Sequence, residues 1–256
     1  MLHRLARSVG GGLARFLNQP AGDYEQFAVT PEVRLRSVLN PGDILLVEGK
    51  TRISTAIKYL TQSTWSHAAI FVGDAASCND TPDGHVLVEA DLLNGVVAVP
   101  LAKYSRYNTR ICRAIGLSDS DRVAVVNFAC QQIGLRYDLR NIFDLLRYFL
   151  PLPLVTARFR RRFLAFGSSD PTQAICSTII AHAFQNVDYP ILPRETDYEP
   201  GDPDERHILR KRHYTHFVPR DFDLSPYFRV VKPTLQMGFD YRDIEWRDDS
   251  TPKSGP

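Results

Sequence analysis

Short apolar runs bounded by turn residues fill the first half of the chain, and longer stretches with helical periodicity fill the second. Residues 44–47, Ile-Leu-Leu-Val, follow the turn signal Pro41-Gly42-Asp43 and read as a short buried strand. Residues 51–62 put Ile53, Ala56, Ile57 and Leu60 on one helical face. An apolar strand runs over 67–72 and ends at Gly73-Asp74. Two more, 85–90 and 96–99, are joined through Asn94-Gly95, a strong hairpin signal. Residues 110–114 supply a further strand, and the pattern predicts a small, mostly antiparallel sheet.

Beyond that sheet the period changes. Ser118 and Asp121 form a capping box for a helix running to about residue 133. A second helix over 139–150 is stopped by Pro151 and Pro153, and a basic run follows at 158–162. Asp170-Pro171 offers an N-cap and first-turn proline for a third helix, with Ile175, Ile179, Ala183 and Val187 as its stripe. Residues 188–216 are rich in proline and charge and read as a long loop. The segment 217–231 ends in one more strand. Residues 18–40 read as an irregular polar lead-in, and 240–256 as a polar, disordered tail. Strands followed by helices make the class α+β.

Composition removes several functions. With 256 residues, 44% of them hydrophobic and 23% charged, a sizeable core is within reach. Thirty-one basic residues against 29 acidic give a net charge of +2, which argues against a dedicated nucleic-acid binder. The four cysteines, at 78, 112, 130 and 176, lack C-x-x-C spacing, so no zinc knuckle or thioredoxin-type motif is present. Nothing in their spacing demands a disulfide, and scattered cysteines suit a reducing compartment. Arg4, Arg7 and Arg15 interrupt any signal-peptide core, and no apolar run approaches the roughly 20 residues of a membrane span. The expected location is the cytoplasm. Leu2, Leu5, Val9, Leu13, Phe16 and Leu17 share one helical face, which allows a peripheral contact with the inner membrane. The other reading is a frayed terminal helix, since Gly10, Gly11 and Gly12 weaken it.

Three residues carry candidate chemistry. Cys176 opens Cys-Ser-Thr-Ile-Ile early in a predicted helix, where the helix N-terminus favours the nucleophilic thiolate. Alone, such a cysteine is more often a small core residue. His67 opens an apolar strand, so its ring can face a cleft while the strand anchors it; a structural histidine at a sheet edge is the alternative. Glu89 interrupts the apolar run Val-Leu-Val-Glu-Ala, and a buried carboxylate needs a partner. That partner is either an imidazole or one of the many arginines. Taken together, a Cys/His/carboxylate set is what nucleophilic catalysis needs.

These residues carry a resemblance. Pro-Gly-Asp-Ile-Leu-Leu-Val (41–47), Trp-Ser-His-Ala-Ala-Ile-Phe-Val-Gly-Asp (65–74), Val-Glu-Ala (88–90) with Gly95-Val96, Gly-Leu-Arg-Tyr-Asp (134–138) and Cys-Ser-Thr-Ile-Ile (176–180) occur in that order. So does Val-Pro-Arg-Asp-Phe-Asp-Leu-Ser-Pro-Tyr-Phe (218–228). The series resembles the YiiX/YaeF/YebB group of permuted papain-like enzymes, relatives of NlpC-type peptidases and lecithin:retinol acyltransferase. The order of His67 before Cys176 is that of the permuted members. The resemblance implies a circularly permuted papain-like domain over 40–232 with an inserted helical segment around 139–168. An N-terminal extension over 1–39 and a tail over 233–256 would flank it.

It further implies a catalytic set of Cys176 as nucleophile, His67 as base and Glu89 as the group behind the base. Tyr137, Ser177 and Trp65 are implied beside them as substrate-binding or oxyanion residues, together with the backbone N–H of Cys176. The expected reaction has neutral His67 take the thiol proton, Cys176 attack a carbonyl, and a thioester form and pass to water or another nucleophile. The expected substrate is a small molecule, a peptide or a lipid, with no cofactor. A non-catalytic peptide- or lipid-binding module on the same fold is the rival reading. A metal site built from His182, His213 and His216 is disfavoured, since no pair has helical i, i+4 spacing.

Overall fold

The computed structural model describes residues 16, 18–21, 24–27, 29–73, 86–91, 94–135, 175–195 and 209–243. The described elements are, in order, α1 (Glu32–Val38), β1 (Ile44–Val47), α2 (Arg52–Thr61), β2 (His67–Gly73), β3 (Val86–Asp91) and β4 (Gly95–Pro100). A 3-10 turn (Leu101–Tyr104), β5 (Thr109–Ala114), α3 (Asp119–Gln131), α4 (Ile175–Gln185), β6 (Arg194–Glu195) and β7 (Leu209–Arg210) follow. Then come α5 (Pro219–Leu224), β8 (Phe228–Val231) and α6 (Pro233–Gln236). Among the described residues, six strands form one antiparallel sheet in the order β4-β3-β2-β1-β5-β8, as the patterning predicts.

The continuous apolar run of β1 has a direct cause. This strand lies between β2 and β5, and both sheet faces are covered, so all four residues are buried. Ile44 and Leu46 point into a core shared with α3, α4 and α5, including Val125, Ala129, Ile180, Phe184 and Phe222. Leu45 and Val47 point to the other face, against Leu35 and Leu39 at α1 and Leu101 and Tyr104 of the 3-10 turn.

Local signals fix the ends of the elements. Ser118 caps α3 by accepting from the Asp121 N–H at 3.1 Å. Thr51 caps α2 by accepting from the Ser54 N–H at 3.3 Å. Three segments differ from the patterning. The lead-in contains α1, a seven-residue helix whose single buried residue, Leu35, leaves no periodic stripe to read. The segment before β8 contains α5, begun by Pro219 in its first turn and by Asp221 accepting from the Val218 N–H at 3.0 Å. The 188–216 loop carries the short β6–β7 pair and a 3-10 turn over Tyr214–His216.

The N-terminal stretch packs onto the sheet: Pro20 bridges Thr51, Val29 bridges Asn108, and the Asn108 N–H donates to the Tyr24 hydroxyl at 2.6 Å. In the tail, Tyr241–Asp243 forms a 3-10 turn. The 139–150 helix, the 158–162 basic run and the first fifteen residues lie outside the described residues. Among the described residues, no helix is long and apolar enough to cross a membrane.

Candidate active site

Antiparallel register brings His67 and Glu89 together. Glu89 pairs directly with Ala69, and His67 lies two residues before Ala69, so both side chains project from the same face. His67 Nε2 stands 3.1 Å from Glu89 Oε2. Glu89 is almost wholly buried, at 1% side-chain exposure, whereas His67 keeps 22%.

Cys176 arrives from the opposite face. It lies in α4, which packs on β2 and β3 within the core on the helical side of the sheet. His67 is the first residue of β2, at the rim of the sheet. There its ring meets Glu89 and also interacts with the Cys176 thiol, by charge and by hydrogen bond. The Ala68 N–H also hydrogen-bonds with Cys176, and the Ser177 hydroxyl lies 3.9 Å from its sulfur.

Electrostatics follow from these contacts. Burial pushes the Cys176 thiol up, but the charge and hydrogen bond of His67, with the Ala68 N–H and the Ser177 hydroxyl, outweigh it and hold its pKa below the usual 9.0. Burial works against a charged His67 ring, yet Cys176 and Glu89 override it, and the ring is pushed up to about 10. Burial likewise disfavours ionised Glu89, but His67 and Lys103 bring it down to about 2. The arrangement favours a thiolate–imidazolium pair with an ionised carboxylate behind it.

The predicted residues therefore have distinct placements. Cys176, His67 and Glu89 come together, and Ser177 is wholly buried beside the sulfur. Trp65 is buried two residues before His67; its indole N–H donates to Asp223 of α5 at 3.0 Å, and the Arg110 guanidinium lies over its ring. Tyr137 lies outside the described residues. Two neighbours were not read from the sequence. The Lys103 ammonium pairs with Glu89 Oε1, and the Tyr104 hydroxyl donates to Glu89 Oε2. The available signal was the burial of Glu89, which required donors; the arginines considered for it are not the ones used.

The segment entering β2 is tightly held. Ser66, buried beside His67, accepts from the Gly49 N–H at 2.9 Å and donates its own N–H to the Val47 carbonyl at 3.1 Å. A Cβ on Gly49 would stand 2.1 Å from the Ser54 hydroxyl and 2.8 Å from that of Ser66.

The cysteines do not all remain single. Cys130 is disulfide-bonded, a pairing that the sequence spacing did not demand. Cys112 is free and buried, and burial pushes its thiol up to about 12. His182 and His213 each stack on the Tyr214 ring, with centroids at 4.2 and 4.3 Å. Among the described residues, no group of three or more His, Cys, Asp or Glu is arranged to hold a metal ion.

Comparison with known proteins gives two matches. Residues 38–149 match the family model of the permuted papain-like amidase enzymes, YaeF/YiiX. That span holds His67, Glu89, Lys103 and Tyr104; Cys176 lies beyond it. Among solved structures, the chain is similar to the metalloprotein YiiX from Escherichia coli O157:H7, at 16% identity and a TM-score of 0.45, covering 75% of this chain and 96% of that one. No curated protein matches the sequence. The α+β class and the permuted papain-like resemblance read from the sequence both stand.

Proposed function

From a chain whose residues 38–149 match the permuted papain-like amidases, we propose a cysteine-nucleophile hydrolase of amidase type. The observation that carries it is the convergence of Cys176 and Glu89 on His67.

In this reading Cys176 waits as a thiolate and His67 as an imidazolium. The sulfur attacks the substrate carbonyl carbon and forms the C–S bond. His67 donates its proton to the leaving nitrogen or oxygen as that bond breaks, leaving a thioester on Cys176. Neutral His67 then takes a proton from water, which attacks the thioester and releases the acid and the thiol. Ionised Glu89 holds the ring in orientation and stabilises its charged form. The backbone N–H of Cys176 is a candidate donor to the oxyanion. A second acceptor in place of water would make the same thioester chemistry an acyl transfer. The amphipathic N-terminus and the apolar 139–150 stretch tilt the substrate toward a lipid or lipidated amide.

The test is turnover of a panel of simple amides and esters, including N-acyl amino acids and fatty amides, by wild-type and Cys176→Ala protein. Release of acid by wild-type alone, with an acyl group trapped on Cys176 by acid quench, is the expected result. Equal turnover by both proteins, or an acyl group trapped elsewhere, overturns the proposal.

A further inference from the structure

Glu89 is over-provided with donors for a group whose only task is to meet one imidazole. Beyond His67, both of its oxygens are engaged by consecutive residues of the 3-10 turn that follows β4, Lys103 on Oε1 and Tyr104 on Oε2. Tyr104 and His67 thus share a single carboxylate oxygen. The turn has reason to be rigid. Leu101 and Tyr104 are buried in the second core, and the Tyr104 ring packs edge-on against Tyr107 with centroids 5.6 Å apart.

We propose that Lys103 and Tyr104 are positioning residues, which fix both oxygens of Glu89 so that Oε2 is aimed at His67 Nε2. The inference rests on the catalytic reading above and deepens it. The physical requirement is plain. Charge-assisted hydrogen bonds to both oxygens fix the carboxylate plane, so that Oε2 keeps its line to the imidazole. A buried carboxylate also needs a permanent cation if it is to stay ionised when His67 gives up its proton during turnover. Lys103 supplies that charge at every stage of the cycle.

Among the described residues, the groups facing Glu89 are His67 from β2, Lys103 and Tyr104 from the 3-10 turn, and Tyr107 just beyond it; Cys176 acts on it from α4 through His67. Burial first, and then the Glu89 carboxylate, push the Tyr104 phenol well above its usual value, so it remains a donor across the working range.

The experiment follows the rate of Cys176 alkylation by iodoacetamide against pH, read by mass spectrometry, in wild-type, Tyr104→Phe, Lys103→Met, Lys103→Arg and His67→Gln proteins. Tyr104→Phe keeps the packed ring and removes only the hydroxyl. Lys103 is partly exposed, at 40%, so its replacement decides the matter should the Tyr104 variant fold poorly. Tyr104→Phe is expected to lower the plateau rate about tenfold. Lys103→Met is expected to move the acid limb up by about one pH unit, because Glu89 then protonates sooner and abandons the imidazolium, and Lys103→Arg is expected to restore it. Unchanged profiles in both variants overturn the inference while leaving the catalytic pair intact. So does a downward shift in Lys103→Met, which would mean that Lys103 merely damps the pull of Glu89. A wild-type profile no different from that of His67→Gln overturns the catalytic reading itself, and this inference with it.

Discussion

Each residue of the site depends on a charge that another supplies. The Cys176 thiolate is stabilised mainly by His67, and the His67 charge by Cys176 and Glu89, so neither behaves as an isolated group. Thiol reactivity should therefore differ sharply within one chain. Brief treatment with iodoacetamide at neutral pH is expected to label Cys176 and spare Cys112, whose thiol is buried and pushed up to about 12. Peptide mass spectrometry checks this, and preferential labelling of Cys112 would contradict it. If Cys176 is the nucleophile as proposed, replacing it by serine should abolish turnover, because an alcohol gains little from a partner tuned to a thiol. The residue types were legible in the sequence: a cysteine in a helix, a histidine at a strand mouth, a glutamate inside an apolar run. Lys103 and Tyr104 were not, because a lysine beside a tyrosine in a short turn has no pattern that separates it from ordinary surface sequence.

At the scale of elements, the site depends on how β2 is entered. Gly49 and Ser66 approach so closely that a methyl group has no room, and the atoms it meets include the Ser54 Cβ at 2.8 Å. Gly49→Ala is expected to lower the melting temperature and to slow Cys176 alkylation together, as the displaced Ser66 pulls on the neighbouring His67. Calorimetry and the alkylation rate measure both; an unshifted variant would show that the segment is slack. By contrast, Ser118→Ala removes the cap of α3, away from the site, and should cost about 1 kcal/mol of stability while leaving the alkylation profile unmoved. Elements with strong patterns were legible. The β1 strand was read to the residue because four buried apolar positions lie between turn residues. Short elements were not: α1 buries a single leucine, and α5 has only six residues.

For the whole molecule, the sheet joins two separate cores, and the site is built where they meet at its rim. Glu89 belongs to the face covered by the 3-10 turn, Cys176 to the face covered by helices, and His67 spans them. No sequence pattern carries that information, because register and layer order are set by pairings between distant segments. The arrangement couples stability to pH. A Glu89 pKa lowered from 4.5 to about 2 stabilises the folded state above the ordinary carboxylate range, and that contribution fades as pH falls toward 2. The stability difference between wild-type and Glu89→Gln, measured by denaturant unfolding, should therefore shrink over that interval. A difference independent of pH would show that Glu89 is not held ionised in the fold.

The most direct test is titration of the thiolate by its ultraviolet absorbance in wild-type and His67→Gln protein, with Cys176→Ala as the blank. The account predicts a Cys176 signal that appears at lower pH than that of an ordinary thiol in wild-type and is displaced upward once the imidazole is gone. Identical titrations in the two proteins, at the value of an ordinary thiol, would contradict it.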